Sequence, residues 1–153
     1  MPRTEMDAVE LLEQDHREVE ALLQQYESAG DPSTKEDLAE EICEALTVHA
    51  SIEEEIFYPA VAEKVEGAED LVEEARKEHA SVKQLINDIE STDAEGSELD
   101  SLLQELGANV KHHVEEEEQE MFPKVRDSDL DLQALGQRMS ARKNELMGEQ
   151  SPA

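Results

Sequence analysis

The sequence predicts an all-α fold, an up-down-up-down four-helix bundle with an extra C-terminal helix. Glu, Leu, Ala, Lys and Gln dominate the 153 residues, while Gly and Pro are few, and this composition favours long helices. Apolar residues recur at helical spacing along four long segments. Because the connections between these segments are short, we expect consecutive helices to be antiparallel neighbours.

The first helix is predicted by a seam of apolar residues that runs from Val9 to Tyr26. His16 occupies a slot of this seam that an apolar residue would otherwise fill, so its side chain should face the core. The stretch Gly30-Asp31-Pro32 contains two stop signals and is expected to separate this helix from the next.

The second helix is expected to open at a capping box formed by Ser33 and Glu36. Pro59 should bend this helix or end its regular part. Its seam consists of Leu38, Ile42, Ala45, His49, Ile52 and Ile56. A histidine again takes an apolar position, and Glu53 lies one turn further along the same face.

The third and fourth helices repeat this arrangement after a break at Gly67. Residues 91–96 are expected to form a loop, with Ser97 as the cap of the fourth helix and Pro123 near its end. The third seam consists of Val72, Ala75, His79, Val82, Ile86 and Ile89. The fourth consists of Leu99, Leu102, Leu106, Val110, His113, Glu117 and Met121.

The extra helix is predicted by an amphipathic segment after Ser128 that has no counterpart in the first half of the chain. Its apolar residues are Leu132, Leu135, Met139 and Leu146. We expect it either to pack across the bundle or to form a dimer contact, so that both a monomer and a homodimer stay open. One domain is expected over residues 1–153, with the bundle core at 5–126 and the helical extension at 129–147.

The formal charge of −28 argues against nucleic acid and anionic membrane surfaces as partners, because both carry phosphate groups that this surface would repel. The single cysteine excludes an intrachain disulfide and a cysteine-rich metal site. Acidic residues stand where a signal peptide needs an apolar core, and no segment approaches the roughly 20 apolar residues of a membrane span. We therefore expect a cytoplasmic protein.

A pattern of histidine and glutamate occurs twice in the chain. The first copy consists of His16, His49 and Glu53, and the second of His79, His113 and Glu117. The two histidines of a copy are 33 and 34 residues apart, and each His-x-x-x-Glu pair begins ten residues before a proline. Imidazole and carboxylate together are ligands of first-row transition metals, so the duplicated set predicts a site for two metal ions.

A lone histidine on an apolar helix face is more often a hydrogen-bonded core residue than a metal ligand. Here four helices contribute one histidine each, and two of them add a glutamate that would otherwise be an expensive buried charge. Metal binding is therefore the better interpretation, and the ligand types suit iron, manganese or zinc. Ferritin-like sites use Glu-x-x-His with four glutamates, so the order His-x-x-x-Glu points away from ferritin.

At these residues the chain resembles the hemerythrin-like proteins with the HHE cation-binding domain. The resemblance covers about residues 5–126. Besides the six histidines and glutamates, it rests on Asp15, Phe57, Pro59, Glu78, Phe122 and Pro123. It implies a hemerythrin-like bundle around two Fe ions, an oxo- or hydroxo-bridged di-iron centre. The implied ligands are His16 and His49 on one iron, His79 and His113 on the other, and Glu53 and Glu117 as bridges.

Four further residues are relevant to this interpretation. Oxygen-carrying members of the family have an additional histidine where this chain has Ala75, which leaves the second iron one protein ligand fewer and argues against reversible oxygen carriage. His112 and Glu116 also form an i,i+4 pair, so the residues alone permit a rival assignment. We prefer His113 because its spacing from the following proline equals that in the first copy. Tyr58 is interpreted as a core or rim residue.

The resemblance implies a protein that binds iron together with oxygen, nitric oxide or peroxide, in sensing, storage or stress response. The alternative is a di-iron enzyme or repair protein that reduces nitric oxide, decomposes peroxide or donates iron to damaged iron–sulfur clusters. A third class, a structural or partner-binding bundle, would bind no metal. Whether the protein is an enzyme stays open at this point.

Overall fold

The computed structural model describes residues 6–91 and 96–150, and within these ranges every regular element is a helix. The predicted all-α, up-down-up-down bundle is confirmed, and its four long helices are α1, α2, α4 and α5. The helices are α1 (Ala8–Ser28), α2 (Pro32–Ile52), α3 (Tyr58–Lys64), α4 (Glu69–Ser91), α5 (Gly96–Glu116), α6 (Phe122–Arg126) and α7 (Leu132–Gln150). No helix in the described ranges is long and apolar enough to cross a bilayer.

Two five-residue π-helical turns, Glu53–Phe57 and Glu117–Met121, join α2 to α3 and α5 to α6. In each, the N–H after the turn donates to the carbonyl at its start, five residues earlier. A proline, Pro59 or Pro123, follows each turn, and its ring would clash with a carbonyl of a regular helix. The wider turn accommodates the ring, so the chain stays helical beyond both prolines. The expectation that the fourth helix ends near Pro123 is corrected accordingly.

The start of α2 also differs from the prediction. Asp31 caps the helix, with its side chain accepting a hydrogen bond from the N–H of Thr34 at 3.0 Å, and Pro32 is the first helical residue. The predicted capping box of Ser33 and Glu36 is wrong because proline fits the first helical position, where no N–H is needed, and this places the cap one residue before it.

The connection between α4 and α5 was expected to be a loop over residues 91–96, of which 92–95 lie outside the described residues. Helix α4 extends through Ser91, and α5 begins at Gly96, whose φ of +58° is the left-handed conformation that glycine adopts at little cost. Ser97 therefore lies inside the first turn of α5 and does not cap it.

The extra helix α7 packs across the first half of the bundle. It contacts α1, α2 and the π turn at Glu53–Phe57, and its Leu135 and Met139 are buried. Lys143 reaches the carboxylate of Asp15 at 2.6 Å. Of the two placements expected for this helix, the structure shows packing on the bundle.

Two apolar clusters fill the bundle, one at each end. The cluster at the α3, α6 and α7 end includes Leu12, while the cluster at the other end includes Val19. His16 lies between these two residues on α1, and the other helices have the same order of apolar, polar and apolar positions. The core thus contains one buried polar layer between two apolar ones.

Candidate metal centre

The structure brings all six sequence-predicted ligands into this buried polar layer. The four histidines lie on α1, α2, α4 and α5, and both glutamates begin the π turns. None is more than 6% exposed. The members are His16, His49, Glu53, His79, His113 and Glu117. Because the helices run antiparallel, mid-helix positions far apart in sequence meet at one height of the bundle.

The ligand atoms of this layer fall into two overlapping sets. The first set is His16, His49, Glu53 and Glu117, and the second is Glu53, His79 and His113. Within each set the atoms lie within 4.8 Å of one another. Glu53 belongs to both sets. Glu117 also spans them, since its two oxygens lie 3.1 Å from Nε2 of His16 and 3.4 Å from Nε2 of His113. Two sets of histidines that share two carboxylates are the arrangement that a pair of neighbouring metal ions would need.

Two of the converging atoms need a partner. Oε2 of Glu53 is buried without a hydrogen-bond partner among the described residues, and buried Nε2 of His49 makes no well-aligned hydrogen bond, although Oε1 of Glu53 lies 3.2 Å away. Leaving such an atom unpaired costs roughly 1–3 kcal/mol. Metal ions would complete the coordination of both atoms, and imidazole with carboxylate is a donor set that first-row metals accept. The residues present therefore fit a pair of metal ions.

Each histidine turns Nε2 toward the centre and Nδ1 toward an outer carboxylate. The pairs are His16 with Glu118, His49 with Asp15, His79 with Glu54 and His113 with Glu78, at 2.7, 3.0, 2.7 and 2.7 Å. A carboxylate at Nδ1 keeps the proton on that nitrogen, leaves Nε2 free for a metal and fixes the orientation of the ring. The four contacts thus prepare all four rings for metal binding.

The outer carboxylates follow the duplication of the chain. Asp15 and Glu78 each precede a predicted histidine ligand, while Glu54 and Glu118 each follow a predicted glutamate ligand. Sequence reasoning noticed the first two as family markers but predicted none of the four contacts. The available signal was their identical placement in both copies.

Three of these carboxylates also contact a basic side chain. Lys143 lies 2.6 Å from Asp15, Lys83 lies 3.0 Å from Glu54, and Arg17 pairs with Glu118. Burial raises the pKa of Asp15, but its hydrogen bonds and charge interactions with His49 and Lys143 lower it more, so the net shift is downward. Burial likewise raises the pKa values of Glu54 and Glu118, but their hydrogen bonds to a histidine and to a basic side chain lower them more, so all three carboxylates are ionised at neutral pH.

Two of the central histidines, His49 and His113, have raised pKa values in the metal-free protein. Burial opposes protonation of His49, but Glu53 and Asp15 outweigh it and raise its pKa to about 10. For His113, burial is likewise outweighed by Glu117 and Glu53, and the pKa rises to about 12. Burial also disfavours the charged form of Glu53, yet His49 holds its pKa well below the ordinary value. Without metal, the protonated rings of His49 and His113 therefore pair with the central carboxylates.

We expect metal affinity to rise with pH between about pH 6 and 9, because a metal requires the deprotonated nitrogen. His49 and His113 hold protons up to pH values of about 10 and 12, so each ion that binds must displace protons, and raising the pH favours the bound state. Calorimetric titration of the metal-free protein in two buffers of different ionisation enthalpy measures the protons released. An affinity independent of pH would contradict the protonated state of these rings.

The Tyr58 hydroxyl lies inside the second ligand set. It donates to Oε2 of Glu117 at 2.5 Å and to Oε1 of Glu53 at 3.1 Å. It also lies 3.2 Å and 3.4 Å from the Nε2 atoms of His79 and His113. Burial and the two carboxylates raise the pKa of Tyr58 well above its ordinary value. The phenol therefore keeps its single proton, which it can donate to either of the two central glutamates, with Glu117 the closer acceptor.

Sequence reasoning placed Tyr58 in the core or at its rim, and the side chain is indeed fully buried. The contact with the ligands was missed. A signal existed in the duplication, because Tyr58 and Phe122 occupy equivalent positions before the two prolines and only one of them carries a hydroxyl.

Replacing Tyr58 with Phe is expected to destabilise the metal-free protein by about 1.5–3 kcal/mol, the range for hydrogen bonds to charged groups. With metal bound the loss should shrink, because the ions then engage the same carboxylate oxygens. Urea unfolding with and without metal measures both values. Tyr26→Phe is the control, since its hydroxyl donates at 2.7 Å to Asp100, far from the centre. An equal loss for Tyr58→Phe in both states would contradict this account.

A cavity of about 70 Å³ lies beside the four histidines. A water molecule needs roughly 10–15 Å³ on the same measure, so the cavity has room for a small molecule of a few atoms. Lys83, which is exposed on α4, forms part of its wall. The apolar part of the wall consists of Val19, Leu46, Ala50, Val82, Ile86, Val110 and Val114.

His112 lies outside the centre. Its side chain is 67% exposed, and Nε2 lies 3.3 Å from Glu78 and 3.7 Å from Glu116. The structure therefore places His113, and not His112, among the buried candidate ligands. The two adjacent histidines point to different sides of α5, because successive residues of a helix are rotated by about 100°.

Comparison with known proteins gives a consistent result. The family model described as "Hemerythrin HHE cation binding domain" matches residues 7–125. An uncharacterized hemerythrin-like protein of Schizosaccharomyces pombe is 32% identical over 111 residues, which are 71% of this chain and 54% of that protein. A protein of Nostoc sp. named DNA nickase is 27% identical over 126 residues, 82% of this chain and 35% of that protein. The chain thus spans about a third to a half of these relatives.

A solved structure has the same fold. It is a hemerythrin HHE cation-binding domain-containing protein from Mycobacterium kansasii, with a TM-score of 0.80 and 24% sequence identity over 94% of this chain and 89% of that one. At this identity the likeness supports the fold alone. The match of the family model covers most of the chain and includes all six residues of the buried layer. The chain therefore belongs to the hemerythrin HHE cation-binding domain family.

Proposed function

We propose that this protein holds a non-haem di-iron centre and binds oxygen, nitric oxide or peroxide there, in sensing, iron storage or stress response. The observation that supports this most strongly is the pair of overlapping ligand sets that share Glu53. A single ion would leave one pair of histidines unused, whereas two ions use every Nε2 and both bridging carboxylates. Bound iron would supply redox chemistry and affinity for small oxygen- and nitrogen-containing ligands.

A ligand absent from the second set favours small-ligand binding there. Oxygen-carrying family members have a histidine at the position of Ala75, and here that residue is a buried alanine without donor atoms. The second set therefore has two histidine nitrogens, the same number as the first, and the Tyr58 hydroxyl lies beside its two rings. A place left open by the protein is available to an exchangeable ligand.

The apolar cavity supports the same proposal. It adjoins all four histidines, and its volume of about 70 Å³ suits a diatomic molecule or peroxide. Apolar walls favour weakly polar gases such as oxygen and nitric oxide over ions. The DNA-nicking activity named for the Nostoc relative is not proposed here, since a net charge of −28 opposes approach to a phosphate backbone.

The test is metal content by mass spectrometry on protein purified without air, after a chelator has removed weakly held ions, together with absorption spectra before and after air. Two irons per chain with near-ultraviolet absorption of a bridged pair are expected. Addition of nitric oxide or peroxide should change the spectrum. Stoichiometric zinc or manganese, or a spectrum unaffected by all three small molecules, would overturn the proposal.

After the same chelator treatment, which removes any ion held at the surface, His113→Ala should lose about one iron, and His112→Ala is the matched control because its exposed ring lies outside the buried layer. Iron content unchanged in His113→Ala would refute the ligand assignment. The comparison uses adjacent residues of one helix, so differences in expression or in helix propensity affect both variants alike.

A second candidate function is catalysis, in which the protein reduces nitric oxide or decomposes peroxide, or donates iron to damaged iron–sulfur clusters. The observation that favours it is the protonated Tyr58 hydroxyl, which can deliver a proton from Oη close to the open side of the second set. Turnover well above that of free iron, reduced in Tyr58→Phe with iron content unchanged, would support this candidate. Turnover no faster than that of free iron would eliminate it.

A further inference from the structure

The outer carboxylate Glu78 differs from the other three in its surroundings. Asp15, Glu54 and Glu118 each hold a histidine ring and also contact a lysine or arginine. Glu78 holds the ring of His113 through Oε1 at 2.7 Å in the same way. Its other oxygen, Oε2, is buried, lies 3.3 Å from Nε2 of His112 and makes no well-aligned hydrogen bond among the described residues. Glu78 therefore lacks the lysine or arginine partner that the other three carboxylates have, and other side chains occupy that place.

The replacement is a cluster of three metal-binding side chains. Glu78 comes from α4, and His112 and Glu116 lie one turn apart on α5. One ligand atom of each lies within 4.8 Å of the other two. Two carboxylates and one imidazole thus converge on a point at the surface, as His112 is 67% exposed while Glu78 is 15% and Glu116 30% exposed.

Within the described residues, no lysine or arginine pairs with this cluster, in which the two carboxylates instead lie on either side of the His112 ring, at 3.3 Å and 3.7 Å from its Nε2. Two carboxylates held this close repel each other unless a cation or a proton lies between them. At the three equivalent positions that cation is the ammonium or guanidinium group of a neighbouring residue.

We propose that Glu78, His112 and Glu116 form a third metal site, which binds a divalent transition-metal ion such as Zn²⁺ or Fe²⁺ at the surface. One imidazole nitrogen and two carboxylate oxygens are a set that such ions accept, and the exposed side leaves coordination positions for water. The ion takes the place that lysine or arginine occupies at the other three carboxylates. Because its site is exposed and has three protein ligands, it binds more weakly than the ions of the buried centre.

The experiment uses the variants His112→Ala and Glu116→Gln. Glu78 itself is left intact, since it also holds His113 and its loss would disturb the centre. Glu115→Gln is the matched control, because Glu115 is an exposed glutamate adjacent to Glu116 that lies outside the cluster. The probe is Zn²⁺, added to protein purified with its buried centre loaded, and binding is counted by equilibrium dialysis at fixed ionic strength.

The wild type and Glu115→Gln should bind one Zn²⁺ more per chain than His112→Ala, and Glu116→Gln should bind it about tenfold more weakly or worse. Equal binding by the wild type and His112→Ala would overturn the proposal. So would an equal loss in Glu115→Gln, which would show a general effect of surface charge. The readout is a difference between variants with all six buried ligands intact, so it is independent of which metal the centre holds.

Discussion

Replacing Glu53 with Gln should abolish binding of both metal ions, not of one. Its Oε1 lies 3.2 Å from Nε2 of His49 and 2.9 Å from Nε2 of His79, so the same carboxylate serves both ligand sets. Gln has nearly the same volume but lacks the charge needed to bridge two cations. We expect a loss of affinity of about 100-fold or more at both positions, measured as metal content by mass spectrometry after dialysis.

The control for this variant is Glu55→Gln, in the same π turn. Glu55 is exposed and pairs with Arg142 of α7 at 2.9 Å, away from the centre. It should keep both ions, and His49→Ala should lose only the ion of the first set. If Glu53→Gln instead retained one ion per chain, the two sets would be independent sites and the di-iron proposal would lose its main support.

The six central residues could be predicted because a metal site changes the pattern of a helix in a way that sequence shows. A histidine such as His79 in an otherwise apolar seam, repeated on every helix, has few explanations other than a shared partner. Helical periodicity also brings His113 and Glu117 to one face without knowledge of the tertiary structure. The duplication then indicates which two helices contribute each set of histidines. These inferences depend on local geometry, which sequence determines well.

The surrounding contacts could not be predicted, because they depend on how the helices are rotated against one another. Glu54 and Glu118 are two among 41 acidic residues, so nothing in their identity distinguishes them from a solvated surface. Tyr58 has an apolar ring that any core accepts, and only the tertiary structure shows that its hydroxyl reaches Glu117. The buried Oε2 of Glu78 is likewise visible only after α4 and α5 are packed.

The errors at helix ends have a different cause. Pro59 and Pro123 correctly indicate that the regular hydrogen bonding of the helix is interrupted. The helix can respond to a proline either by ending or by widening into a π turn. The chain uses the π turn in both copies, and each turn starts at a glutamate of the centre. Sequence patterns describe where the hydrogen-bond ladder is interrupted, and packing decides how the interruption is resolved.

Gly136→Ala is expected to destabilise the protein by about 1–3 kcal/mol through overpacking. A Cβ at this position would lie 2.6 Å from the carbonyl oxygen of Met6 and 2.9 Å from the backbone N of Ala8, so α7 must move away from the start of α1. Backbone atoms cannot yield as the end of a flexible side chain can. In a helix that packs against nothing, the same change would raise the free energy of unfolding by about 1 kcal/mol. A decrease measured by urea unfolding would therefore show that α7 packs closely on the start of α1.

Gly148→Ala is the matched control in the same helix, since a Cβ there would meet nothing within 4 Å. It should be neutral or slightly stabilising, and a stabilising effect of both variants would contradict the packing of α7 on α1. The consequence extends to the centre, because Lys143 of α7 contacts Asp15 at 2.6 Å, and Asp15 orients His49 at 3.0 Å. Gly136→Ala should therefore weaken one of the two ions selectively. If stability falls while both affinities stay unchanged, α7 supports the fold without supporting the metal centre.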